Sequence, residues 1–321
     1  MKALCFDRFG PADVLEYRDL PDPRPGPGEL LVRTRAIGLN FADVYRRQGN
    51  YHLQGDPPWI LGYEAAGFVE ALGEGVSGFA AGDRVGFADV PFANAELVVV
   101  PEEQAIPLPE SISFETAAAI LLQGLTAHYL TQDSHSILFG ETVLVHAAAG
   151  GVGLLLTRIA TALGGRVLAL TSSSAKGEAA RAAGAESVAL YSEDWVAAAR
   201  RFSGGRGVDV AYDSVGSTLE DSFRATRTGG HVVFYGMAGG DPKPVNPRML
   251  MDTSKTLTGG DLWNVLTTAQ ERRSRAHQLF DWMEAGQLAL SPPTRFPLAQ
   301  GADAHRLLES RRSTGKILLI P

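Results

Sequence analysis

The stretch Thr142 to Gly153, TVLVHAAAGGVG, constrains this chain more than any other. A short apolar run passes without a spacer into a glycine-rich turn, and the turn opens into Val152, Leu155, Leu156, Ile159 and Leu163, which fall on one face of a 3.6-residue repeat. Strand, tight turn and amphipathic helix make up the first half of a strand–helix–strand unit. Further strand-like runs follow at Arg166 to Leu170, Ser187 to Leu190, Val208 to Tyr212 and His231 to Tyr235, with helical stretches such as AKGEAARAAG between them. Repetition of that alternation predicts parallel strands joined by right-handed crossovers, a doubly wound α/β sheet.

Within the turn, Ala148, Gly150 and Gly153 occupy the three glycine positions of the GxGxxG dinucleotide fingerprint. Gly150 removes a Cβ that would hold a pyrophosphate off the backbone, and Gly153 lets the helix lie close to the strand. The free amides and the dipole at the helix start then favour an anion. A tight turn without a ligand would read the same in isolation, but the flanking strand and helix favour cofactor binding. An NAD site carries Asp or Glu about twenty residues on. Here that position reads Thr171-Ser172-Ser173-Ser174-Ala175-Lys176. Hydroxyls and a cation suit a 2′-phosphate, so the expected cofactor is NADPH.

The first hundred residues read differently. Short runs such as LLVRTRAIGL, AAGFVEALGEG, GDRVGF and ELVVV alternate with turn residues, which predicts a bent β domain. From about residue 115, FETAAAILLQGLTAHYLTQ is helical, and after residue 265 Ala276, Leu279, Phe280 and Met283 repeat at core-facing spacing. The closing run KILLIP is expected to return to the first, β-rich domain. At 321 residues two domains are the expectation.

Composition excludes several classes. The net charge is −7 and basic residues form only scattered pairs, so nothing calls for nucleic acid or an anionic membrane. His146, Arg158 and the glycines interrupt the one stretch that hydropathy would flag, 143 to 163, and no membrane span is expected. The start lacks a secretory signal, and the expected location is the cytoplasm. A single cysteine, Cys5, rules out an intramolecular disulfide and a cysteine-rich zinc site.

With RAIGLNFADVYRRQGNY, LGYEAAGFVEALGEGV, AAGDRVGF, QGLTAHYL, VHAAAGGVG, the SSSAK loop, YDSVG and STGKILLIP, the whole chain resembles the medium-chain dehydrogenase/reductase superfamily, and within it the zeta-crystallin-like NADPH:quinone oxidoreductases. The resemblance implies a GroES-like catalytic domain of residues 1–122 and 265–321 around a Rossmann domain of residues 123–264. Zinc-dependent relatives hold their metal with two Cys and one His. Asn40 stands where the first Cys would be and Tyr63 where the His would be, so no metal is expected. By resemblance, Asn40, Asp43, Tyr45 and Tyr51 line the substrate cleft. The implied cofactor set is Thr126, Gly150, Gly151, Val152, Gly153, Ser172, Ser173, Lys176, Tyr191, Ser214, Gly216, Tyr235, Gly236 and Arg311. Several of these also admit structural roles: Asn40 and Asp43 as turn formers, Tyr51 as a loop aromatic, Tyr235 as core. Glu64 and His146 are read as buried structural groups. The implied reaction is hydride transfer from NADPH to a small-molecule quinone. The alternatives are reduction of an enone or alkenal double bond and a non-enzymatic cofactor- or RNA-binding role. The stretch KTLTGGDLW is expected to form an outer strand through which a homodimer pairs.

Overall fold

The computed structural model describes residues 1–321. The first eight strands are β1 (Lys2–Phe6), β2 (Glu16–Asp19), β3 (Glu29–Leu39), β4 (Trp59–Ile60), β5 (Glu64–Leu72), β6 (Arg84–Ala88), β7 (Leu97–Pro101) and β8 (Ile106–Pro107). Six more follow: β9 (Thr142–Val145), β10 (Arg166–Thr171), β11 (Ser187–Leu190), β12 (Val208–Asp213), β13 (Thr226–Phe234) and β14 (Thr256–Gly259). The last two are β15 (Thr294–Pro297) and β16 (Ile317–Ile320). The helices are α1 (Phe41–Arg47), α2 (Phe114–Tyr129), α3 (Gly151–Ala162), α4 (Ser174–Ala182), α5 (Trp195–Phe202), α6 (Leu219–Ala225), α7 (Pro247–Thr253), α8 (Ala269–Glu284) and α9 (Gly301–Glu309).

The chain divides into two compact units. One comprises Met1–Leu125, Leu266–Ala285 and Ala289–Pro321, the other Thr126–Val265 and Gly286–Leu288, so the division falls inside α2. In the first unit a three-stranded sheet, β2-β1-β4, accompanies a seven-stranded one in which β15-β16-β3-β5-β6-β8 are neighbours and β7 also pairs β3. The eleven-residue β3 is its spine. Leu30, Val32, Ile37 and Leu39 pack with Val85, Phe87, Val98, Val100, Ile317 and Leu319 in one buried cluster. Register shifts at Leu31/Val32 and Thr34/Ala36 bend the β3–β5 pair. The closing strand β16 lies antiparallel to β3, as its apolar run and lack of a nearer partner lead one to expect.

The second unit holds a six-stranded parallel sheet in the order β11-β10-β9-β12-β13-β14, the 3-2-1-4-5-6 order of a dinucleotide-binding fold. Leu144, Leu168, Leu170, Ala211 and Val232 form its core with Trp195, Leu219 and Phe223 from α5 and α6. The strand expected at His231 begins earlier, at Thr226, because the ladder to β12 skips from Val208–Thr226 to Val210–His231. Gly229 takes φ 69° within that irregularity. The stretch expected as an outer strand supplies β14, which pairs only β13 and is an edge. No helix is long and apolar enough to cross a membrane.

Candidate active site

Every segment of the sequence-derived cofactor set that lies in the second unit, Thr126 in α2 excepted, follows the carboxyl end of a parallel strand, where doubly wound sheets bind ligands; Arg311 lies in the first unit. After β9 the chain turns through Ala147, at φ 46°, and Gly150 caps α3 with extended backbone. A Cβ on Gly153 would lie 2.7 Å from Ala148 Cα and overlap Ala147 O, so only glycine lets α3 start there. A Cβ on Gly150 would meet Ala147 O at 3.1 Å. Leu154 N makes the first bond back, to Gly150 O. The amides of Gly151, Val152 and Gly153 at the start of α3 therefore have no acceptor within the helix.

After β10, Ser173 caps α4 and its hydroxyl accepts from Lys176 N. Ser172 and Ser173 are exposed and Lys176 is half-buried. The loops after β12 and β13 are bound together, Ala238 N donating to Ser214 O and Gly239 N to Val215 O. Gly216, at φ 82°, faces Gly240 O, and Gly236 approaches Ser214 O, so side chains at either glycine would separate the two loops.

Behind the glycine turn lies a polar network for which the sequence offers only the buried reading of His146. Tyr191 Oη accepts from Ala147 N (2.9 Å) and lies 3.3 Å from His146 Nδ1. His146 Nε2 meets Ser222 Oγ at 3.0 Å, and Ser222 donates to Asp213 Oδ2 at 2.6 Å. Asp213 Oδ1 accepts from the amides of Val215 and Gly216. Burial raises the Asp213 carboxyl but is outweighed by His146 and by the donors from Ser222, Gly216 and Val215, which hold it below the usual range. Burial pushes the His146 imidazole down against the pull of Asp213 and Asp221. A fully buried Ser–His–Asp set of this kind fixes the loops after β9, β11 and β12; it presents no nucleophile to solvent. The Tyr191 hydroxyl, a member of the implied cofactor set, holds the turn from behind.

In the first unit, Asn40 caps α1 and its backbone N–H donates to Asp43 Oδ2 at 2.9 Å. Asp43 is fully buried. Desolvation raises its carboxyl, opposed by the Arg46 guanidinium and by backbone donors. Arg46, 2% exposed, lies with Cζ 3.4 Å from the Tyr63 ring centroid and 4.9 Å from that of Tyr51, and donates Nε–H to His52 O. Tyr45 meets Tyr51 edge-on at 6.3 Å and Phe41 at 5.7 Å. The structure thus brings Asp43 and Tyr51 to a cation, Arg46, that sequence reasoning passed over, with Tyr45 edge-on to Tyr51.

Asn40 faces a second buried set. Lys316 Nζ donates to Glu64 Oε2 (2.5 Å) and Asn40 Oδ1 (3.0 Å), and Asn40 Nδ2 donates to Glu64 Oε2 (3.0 Å) and Gly38 O (3.2 Å). Glu64 Oε1 accepts from Leu122 N, and Gln123 Nε2 donates to Asn40 Oδ1 at 3.0 Å. Gly38 must be glycine here, since a Cβ would strike the Glu64 carboxylate. Both amide protons of Asn40 are thereby committed. Arg311, beyond α9, is exposed at φ 57°. No three His, Cys, Asp or Glu side chains converge as metal ligands would.

The strand order and the glycine turn define a dinucleotide-binding oxidoreductase. Two family models match, the alcohol dehydrogenase GroES-like domain over residues 26–110 and the zinc-binding dehydrogenase over residues 183–319. The chain is 42% identical to a quinone oxidoreductase of Pseudomonas aeruginosa, across 100% of this chain and 99% of the relative. It is 36% identical to a 2-haloacrylate reductase of a Burkholderia species, with 100% and 99% covered. It superimposes on the Escherichia coli quinone oxidoreductase complexed with NADPH at a TM-score of 0.97 and 36% identity, covering all of both chains. This chain belongs to the quinone oxidoreductases of the medium-chain dehydrogenase/reductase superfamily.

Proposed function

We propose that the protein reduces quinones with NADPH and without a metal, the second unit holding the cofactor and the first the substrate. The single observation that carries this is the glycine turn at the head of a 3-2-1-4-5-6 sheet in which the second strand is followed by Ser172, Ser173 and Lys176 rather than by a carboxylate. The residues fit the cofactor. The space that a Cβ at Gly150 or Gly153 would fill leaves backbone open to a pyrophosphate, with the α3 amides of Gly151 to Gly153 as donors. Ser172, Ser173 and Lys176 supply hydroxyls and charge for a 2′-phosphate. Ser214, Gly216, Tyr235 and Gly236 form the facing wall, with Thr126, Tyr191 and Arg311 as further members of the binding set.

Bound NADPH supplies a hydride. The chain's part is to orient and to exclude water: Tyr45 and Tyr51 offer hydroxyls toward the oxygen that gains charge on the substrate, while Asn40, Asp43 and Arg46 hold their segment in place. A quinone is already electrophilic, so proton delivery need not limit the rate. The likeness to a 2-haloacrylate reductase favours one second reading, reduction of an activated carbon–carbon double bond, in which a tyrosine proton becomes essential. Turnover of wild type and Tyr51→Phe with a quinone and with an enone separates the two. Quinone turnover retained in the variant is expected. Enone turnover that falls about 10²- to 10⁴-fold, with negligible quinone turnover in wild type, would overturn it. We propose further that the protein is a cytoplasmic homodimer pairing through β14.

A further inference from the structure

The Asn40–Glu64–Gln123–Lys316 set contains one atom that its neighbours do not explain. An ammonium has three donors and no acceptor, so the Asn40 atom 3.0 Å from Lys316 Nζ is its oxygen. The atom facing the salt-bridged Glu64 carboxylate must be the amide nitrogen. Two charges of opposite sign therefore fix the orientation of the Asn40 amide independently. Its oxygen, taking Lys316 on one side, can receive only an N–H from Gln123 on the other. That leaves Gln123 Oε1 as the end of the chain of bonds, aimed by a salt bridge two residues away. It is buried, it has no hydrogen-bond partner, and the residue as a whole is 9% exposed.

An unmet buried carbonyl costs stability, and a side chain free to turn over would avoid that cost. Here the amide cannot turn over without facing its oxygen toward that of Asn40. We infer that Gln123 Oε1 accepts a hydrogen bond from a ligand N–H or O–H, with Lys316, Glu64 and Asn40 as positioning residues that hold it. The inference rests on the reading of the site as NADPH-dependent. At the reacting ends of cofactor and substrate two donors have that chemistry, the carboxamide of the nicotinamide and the hydroxyl of the reduced substrate.

Isothermal titration of the full chain separates them. NADPH, its 3-acetylpyridine analogue, whose ketone has no N–H, and 2′,5′-ADP, which lacks the nicotinamide, are compared in wild type and in Gln123→Met. If the carboxamide is the donor, wild type binds the analogue about 3- to 10-fold more weakly than NADPH, and Gln123→Met binds the two alike while holding 2′,5′-ADP as wild type does. If the donor is the product hydroxyl, wild type binds both dinucleotides alike, and the dissociation constant of the hydroquinone, titrated in the same way, rises about 3- to 10-fold in Gln123→Met. In either case Lys316→Gln should lose the discrimination and Lys316→Arg recover it. Neither discrimination appearing, or 2′,5′-ADP weakening by the same factor as NADPH, overturns the inference. The wild-type arm with the acetylpyridine analogue does not depend on any variant folding. Binding is read without turnover, so absence of quinone reduction alone would count against the proposed function and not against this assignment.

Discussion

Lys176 is a half-buried side chain at the start of α4, beside two exposed serines. One charge-assisted hydrogen bond contributes about 1.5 to 3 kcal/mol. Lys176→Ala should therefore raise the Michaelis constant for NADPH about 10- to 100-fold and leave that for NADH nearly unchanged. Equal losses would make it a folding residue. His305 gives a prediction in pH. It is fully buried, with Nδ1 2.9 Å from Arg47 Nη1, and burial with the neighbouring guanidinium pushes its imidazole down to about 3. An imidazole depressed in the folded state leaves stability intact above its unfolded value near 6.5, and stability falls as the pH drops from there toward 3. At pH 5 the loss is about 2 kcal/mol. Denaturant unfolding at pH 7.5 and pH 5 should show it, and His305→Gln, which can still accept from Arg47, should flatten the slope.

At the scale of elements, the glycine turn makes a graded prediction. Gly153→Ala forces α3 away from Ala147 O and should cost about 1 to 3 kcal/mol of stability as well as cofactor affinity. Gly150→Ala meets the same oxygen only at 3.1 Å, so affinity for NADPH should fall with little change in melting temperature. The α1 segment depends on Arg46. Removing it leaves Asp43 buried without its cation, 3.7 Å away in the native fold, so Arg46→Leu should destabilise by about 3 kcal/mol. Adding Asp43→Asn should recover part of the loss, a coupling that a double-mutant cycle reads directly. These elements differed in how far sequence exposed them. The strand–turn–helix around Gly150 was legible because its signal is local backbone sterics. The early start of β13 was not, because Thr226 joins the strand only through its pairing with Val208, beyond a register shift that skips to Val210–His231.

For the whole molecule, metal independence predicts activity unchanged by chelation. Stoichiometric zinc whose removal abolishes turnover would contradict it. The edge position of β14 predicts a dimeric mass at micromolar concentration by sedimentation equilibrium, since an uncovered parallel edge is a template for pairing. Resemblance to the family places Asn40 and Tyr63 where zinc ligands would stand; the sequence by itself determined the doubly wound sheet, the dinucleotide turn and the return of the last strand to the first unit. Each of those follows from periodicity, from glycine sterics or from residue identity at one place in the chain. Tertiary structure alone decided what those residues do. Asn40 meets Lys316 across 276 positions and Gln123 across 83, and Arg46 finds Tyr63 through the packing of α1 against the start of β5. The partner of a buried charge is set by which elements the core brings together, and no local pattern in the chain encodes that choice.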